Sequence, residues 1–366
     1  MQTWPKKPSR NGLLQLDKTQ WGGVHEWTVD AASALIQAGH EVTFVGSGVV
    51  FKERAEATGA SFRVVNWSKG WESVARSVGE EADFDLIFSH APAGRQFGLL
   101  ANEQAKKEHV VMVHGAYHDY VYEWSDQVDA FVAASPSLVH FVQQFGRVAP
   151  WKVTNLPNAA PDEVFDLPTL SHDEKIEGGV GHIVTASRLS KDKVVQIDSV
   201  EEAVRSLAAL YPDVQWEINV CGDGPLRDYF DQRYNLLEMS IPNVSHTMHG
   251  WVEPAEIPLM MNRAYLTVAA GMAGMRALAS GSLLLGTGAR ASVGIQTGNN
   301  LRAGLWSNFG DHGIFRFAPT EVGVDLGRIS NSDAYDECVA TARSVAKNGN
   351  SQSAVNALMH AALHCD

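Results

Sequence analysis

The sequence predicts an α/β protein of two domains, each a parallel sheet covered by helices on both faces. Three observations predict it. Short β-branched runs alternate with helical patterns, and the alternation occurs twice. The runs are almost continuously apolar, as strands buried on both faces require. A stretch without periodicity, rich in turn residues, separates the two alternations near 166–181. At 366 residues the chain is long for one core and normal for two.

The first domain is expected over 1–165. LLQL (13–16) is a short apolar run before the Gly22-Gly23 turn. The helix that follows places Val24, Trp27, Ala31, Leu35 and Ala38 on one face. VTFVG (42–46) reads as the next buried strand, closed by Gly46 and Gly48. FRVVNW (62–67), DLIFSH (85–90), VVMVH (110–114), AFVAAS (130–135) and WKVTNL (151–156) continue the series. After the linker, 166–181, the second domain is expected over 182–332. Its strands are HIVTAS (182–187), WEINVCG (216–222), VSHTMHG (244–250), YLTVAA (265–270) and SLLLGTG (282–288). Long amphipathic helices fill 333–366.

Composition narrows the function. Hydrophobic content of 45% and charged content of 19% describe a globular chain. No apolar run reaches the roughly 18–20 residues that span a bilayer. MQTWPKKPSRNG carries cations without an apolar core behind them, so it is not read as a secretory signal. Cys221, Cys338 and Cys365 are scattered and lack metal spacing, which fits a reducing cytoplasm. A net charge of −13 argues against a surface built wholly to hold nucleic acid, while leaving room for a local basic groove.

The chemistry concentrates at 185–226. A strand delivers Arg188 and, five residues on, Lys193 into a loop before a helix. The next strand ends in Gly222-Asp223-Gly224-Pro225, with Pro225 expected at the first helical position. Two cations and a glycine turn at the carboxyl ends of neighbouring strands suit a diphosphate, which side-chain cations and helix-start N–H groups neutralise together. The bland alternative is a solvated Arg and Lys after an ordinary strand. In the first domain, Gly22-Gly23 permits close backbone approach to a phosphate or an acceptor, or is a plain tight turn. His114 ends a strand beside Gly115, a poor place for pure packing. His118 follows at a spacing that can bind metal on a helix, but no third ligand is evident. Asp83 and Asp85 precede an apolar strand, which favours capping or solvation over metal binding. Among ten Trp residues, Trp21 beside Gly22 is the candidate for stacking on an acceptor.

SRLSKDK (187–193) and GDGPLRDYF (222–230) resemble motifs of the nucleotide-sugar glycosyltransferases of family 4. Asn158-Ala159-Ala160-Pro161 with Phe165 resembles the family's linker motif, with Pro161 at its Asp position. Gly22-Gly23 and AGHEV (38–42) resemble its amino-terminal signature. The resemblance runs from about residue 12 to about residue 290. It implies a GT-B fold, two Rossmann-like domains facing a central cleft, with the terminal helices crossing back to the first domain. It also implies a retaining hexosyl- or pentosyltransferase that uses a UDP- or GDP-sugar without metal or tightly bound cofactor. His114 would face the donor sugar, and Arg188 and Lys193 would hold the departing diphosphate.

The resemblance breaks at Ala270–Gly281. Family members carry two Glu residues eight apart here. This chain has Arg276 at the second position, a loop about six residues short, and no counterpart of the first. An Arg cannot accept from ribose hydroxyls, but it can pair with phosphate. Gly271 and Gly274 still offer N–H groups near a helix start. The donor and nucleotide set is therefore Gly22, Gly23, Gly222, Asp223, Gly224, Gly271, Gly274 and Arg276. Three readings stay open. They are a glycosyltransferase acting on a small molecule, lipid or polysaccharide, a phage-type glycosyltransferase of modified DNA bases, and a non-catalytic nucleotide-sugar binder.

Overall fold

The computed structural model describes residues 10–14, 22–90, 92–117, 119–312 and 321–363. The chain divides into two compact units, residues 1–157 with 356–366, and residues 158–355. This division differs from the expected boundaries for a local reason. Ala160 donates its N–H to Asn350 O and accepts from Gln352 N–H, both at 2.9 Å. The end of the helix Ser332–Asn350 is thereby tied to the segment after Pro157. The same helix buries Ala342 and Ala346 in the second unit's core.

The first unit holds a seven-stranded parallel sheet: β1 (Arg10–Leu14), β2 (Glu41–Gly46), β3 (Ser61–Val64), β4 (Leu86–His90), β5 (Glu108–Val113), β6 (Ala130–Ala133) and β7 (Val153–Asn155). Its order is β3-β2-β1-β4-β5-β6-β7, so the winding reverses between β1 and β4. β4 and β5 are buried almost throughout, which is why their sequences show no polar alternation.

The second unit holds β8 (Val180–Ala186), β9 (Gln215–Cys221), β10 (Val244–Gly250), β11 (Leu266–Ala269), β12 (Leu283–Thr287) and β13 (Ser292–Ile295). Its order is β10-β9-β8-β11-β12-β13, reversing between β8 and β11. Successive residues serve opposite faces. Ile183, Val268 and Leu285 enter one apolar cluster, and Val184, Ala269 and Leu284 enter the other. β13 pairs antiparallel with β12, a departure from the all-parallel expectation. The strand SVGI is too short, and too broken by glycine, to show a period in the sequence.

One buried cation supports the second unit. Lys175 is 2% exposed, and its Nζ donates to Asn262 O at 2.7 Å and Ala264 O at 2.8 Å. Burial pushes its pKa from 10.5 down to about 7, against the pull of Asp336. The unfolded chain therefore binds this proton between about pH 7 and 10.5 while the folded chain does not, so Lys175 makes stability rise with pH there. Denaturant titrations of wild type and Lys175→Met should diverge by about 1 kcal/mol per pH unit between pH 7 and 9. Parallel curves would refute a titrating Lys175. Among the described residues, no helix is long and apolar enough to cross a membrane.

Candidate functional site

In both sheets the residues of interest lie past the carboxyl ends of strands at the winding reversal or one strand from it, the end at which doubly wound sheets open a crevice. In the second unit β8 runs into Ser187–Lys193 and β9 runs into Gly222–Leu226. The two loops are laced by backbone bonds: Ser187 N–H to Cys221 O at 3.1 Å, Leu189 N–H to Asp223 O at 3.0 Å, and Leu226 N–H to Leu189 O at 2.9 Å. Gly222 (φ 144°) and Gly224 (φ 157°) are required here. A Cβ on Gly222 would lie 1.9 Å from Ser187 O, and one on Gly224 2.5 Å from Leu189 O. Asp223 accepts the N–H of Gly224 at 2.8 Å, so its carboxylate braces the turn. The helix opens at Arg227, two residues later than expected, because Pro225 and Leu226 form a turn and Leu226 N–H is committed to the Leu189 loop. Arg188 is exposed beside this laced pair.

Lys193 caps the helix Val194–Leu210, and its ammonium meets a partner the sequence did not reveal. Its Nζ lies 2.6 Å from Asp311 Oδ1, which also accepts the N–H of Ala289 at 2.8 Å. The other carboxylate oxygen faces the start of the helix Gly271–Ser280, 3.3 Å from where a Cβ on Gly271 would stand. Gly271 (φ 60°) donates its N–H to Asn308 O at 3.2 Å, and Asn158 Nδ2 donates to Asn308 Oδ1 at 2.9 Å. The Asn158 motif thus holds the loop that frames this helix start. Lys193, Asp311, Asn308 and Gly271 form one cluster within the second unit.

Gly274 serves packing. A Cβ there would stand 2.7 Å from Phe309 Cδ2, so the missing side chain makes room for a buried ring. The Gly274 N–H is bonded to Ala270 O at 3.1 Å. Arg276 is half-buried on the same helix.

In the first unit Gly22 precedes the helix Gly23–Gln37, and its O accepts the N–H groups of His25 at 2.9 Å and Glu26 at 3.1 Å. Gly22 is extended (φ −170°), a conformation open to any residue. His114 follows β5, with its Nε2 2.7 Å from Nδ1 of His90 at the end of β4. Trp27 from the helix meets both rings edge-on, 5.6 Å from His90 and 5.3 Å from His114. Burial, then the neighbouring His114 and His25, push the His90 pKa well below the ordinary value, so His90 is neutral. Among the described residues His90 Nε2 has no hydrogen-bond partner. His90 Nδ1 and His114 Nε2 share one hydrogen bond, and the tautomer of the pair sets which ring donates.

His90 and His25 were missed in the sequence, although DLIFSH placed a histidine at a strand end as clearly as VVMVH did. Asp311 had no local signal at all. Asp83 and Asp85 are exposed ahead of β4. Trp27 and Trp124 are buried, at 6% exposure each. Trp21, His118 and Cys365 lie outside the described residues. Among the described residues no group of three or more His, Cys, Asp or Glu side chains is placed to hold a metal ion.

Residues 21–164 match the model of Glycosyltransferase Family 4. No curated protein matches the chain by sequence. Among solved structures, a glycosyltransferase from Rickettsia africae superposes with a TM-score of 0.73 at 13% identity, covering 99% of this chain and 100% of that one. Anabaena HepE, solved in complex with UDP and glucose, gives 0.69 at 15% identity, covering 98% and 100%. The pneumococcal O-GlcNAc transferase GtfA, in complex with UDP and GlcNAc, gives 0.68 at 11%, covering 98% and 99%. The chain has the GT-B fold of two Rossmann-like domains.

Proposed function

We propose that this protein transfers a sugar from a nucleoside-diphosphate sugar, UDP- or GDP-linked, to an acceptor hydroxyl with retention of anomeric configuration and without a metal. One observation carries the reading. At the winding reversal of the second sheet, a loop bearing Arg188 and Lys193 is laced to a glycine turn that no larger residue can replace. The family-4 match of residues 21–164 and the UDP bound to the related folds HepE and GtfA support it.

The chemistry follows from the charges. As the bond from the anomeric carbon to the diphosphate oxygen breaks, negative charge grows on that oxygen. Arg188 and Lys193 offset it from preorganised positions, aided by the helix start at Gly271. The acceptor oxygen bonds to the anomeric carbon on the face the leaving group departs from, and its proton passes to the departing diphosphate oxygen. His114, at the end of β5, is the first unit's candidate for contact with a sugar hydroxyl. The side chains supply the cationic charge that a divalent metal would otherwise bring.

The test is a thermal-shift screen with UDP, GDP and their sugar conjugates, followed by turnover with and without EDTA. Ligand at 100 times its Kd stabilises the folded state by about 2.7 kcal/mol, which raises Tm by several degrees. Donor hydrolysis or transfer should persist in EDTA. A chain that ignores every nucleotide would refute the reading, and binding without any turnover would make it a nucleotide-sugar binder.

Arg276 discriminates between two versions of the site. If it contacts a phosphate, Arg276→Glu sets an anion against the diphosphate and should weaken UDP or GDP binding about tenfold or more, read by calorimetry. Tighter binding by the variant would mean that a ribose acceptor had been restored and would sink the phosphate role.

A further inference from the structure

The carboxylate on Lys193 is the feature the proposed chemistry leaves unexplained. A diphosphate clamp has no use for a fixed anion on its own ammonium, because the carboxylate repels a phosphate oxygen seated there. Asp311 is also no mobile plug. Asn308 and Phe309 both have positive φ (55° and 57°), a conformation that non-glycine residues keep only where the surroundings support it. The surroundings do so. Phe309 is 1% exposed beneath Gly274, and Arg290 donates its N–H to Gly310 O at 3.0 Å. A Cβ on Gly310 would lie 2.2 Å from Ala291 O. The loop is held through Phe309 and Gly310, and it sets the Asp311 carboxylate between Lys193 and the start of the helix Gly271–Ser280.

A fixed carboxylate of this kind is suited to hydroxyl groups. Its Oδ1 is engaged by Lys193 and Ala289, and its Oδ2 faces the helix start. An ionised carboxylate has about four acceptor positions and binds hydroxyl donors more strongly than a neutral acceptor does. Resting on the donor reading above, we propose that Asp311 is the specificity-determining residue of the donor site, accepting a hydrogen bond from a vicinal diol of the nucleotide sugar. It also orients the Lys193 ammonium. The diol belongs either to the transferred sugar or to the ribose, and the experiment separates them.

Calorimetry on wild type and Asp311→Asn would compare pyrophosphate, UDP and UDP-glucose, with GDP and GDP-mannose in parallel. Pyrophosphate reports only the charge at Lys193, and removing the carboxylate should tighten it. The affinity ratios carry the proposal. A fall of about tenfold or more in the UDP-glucose to UDP ratio assigns the diol to the transferred sugar. The same fall in the UDP to pyrophosphate ratio assigns it to the ribose. Both ratios unchanged, whatever the absolute affinities do, would overturn the proposal and leave Asp311 as a partner of Lys193 alone. Asp311→Glu keeps the charge and displaces it by a methylene. It should lower the same ratio with pyrophosphate binding at the wild-type level, which a purely electrostatic role would not produce. Wild type that binds none of these probes would defeat the donor reading itself, an outcome distinct from unchanged ratios.

Discussion

Lys193→Ala should lower turnover by roughly 10²-fold or more, with Arg188→Ala in the same range, because removing one preorganised charge donor costs a few kcal/mol in the transition state. Both residues act on one leaving group, so the double variant should lose less than the product of the single effects. The pairing of Lys193 with Asp311 at 2.6 Å adds a distinguishing feature. Lys193→Ala leaves that carboxylate uncompensated, so donor affinity should fall together with kcat. Arg188 is exposed and acts on Asp192 only through the longer-range field, so its loss should fall mainly on kcat. Steady-state kinetics on the four proteins checks this. Wild-type kinetics in both single variants would remove the clamp from the mechanism.

Gly222→Ala should destabilise the second unit by about 3–5 kcal/mol, combining backbone strain with a steric clash. The added methyl would stand 1.9 Å from Ser187 O, a backbone atom bonded into the neighbouring loop, at φ 144°. Neither loop can yield without breaking the bonds that lace them. Gly224→Ala, at 2.5 Å from Leu189 O, should behave similarly but more mildly. Gly327→Ala is the control, since nothing lies within 4 Å of its Cβ and its helical setting favours alanine by up to about 1 kcal/mol. Chemical denaturation of the three variants reads the difference directly. A Gly222→Ala protein as stable as wild type would mean that the turn is not the rigid support assigned to it.

The difference between these glycines bears on what a sequence reveals. Gly222, Gly224 and Gly274 all looked like ligand-facing positions. The first two are demanded by a neighbouring loop, and the third by the ring of Phe309. A glycine advertises that a side chain is excluded, but whether a ligand, a carbonyl or a phenyl ring excludes it depends on which distant segment lies opposite.

The sequence by itself determined the strand–helix alternation and the near-complete strand set. It also determined that Arg188, Gly222 and His114 follow strand ends and that Lys193 precedes a helix. Those features are local. Strand period, apolar runs and turn residues act over a few positions, so they are written in neighbouring letters. Only the tertiary structure decided that Lys193 is compensated by a residue 118 positions away, and that His114 shares a proton with His90 from the adjacent strand. It alone decided that β13 turns antiparallel, and that Asn158 reaches Asn308 to frame the helix at Gly271. Charge compensation, tautomer choice and steric exclusion act through space at a few ångströms. They are set by how the chain winds, which no spacing along it records.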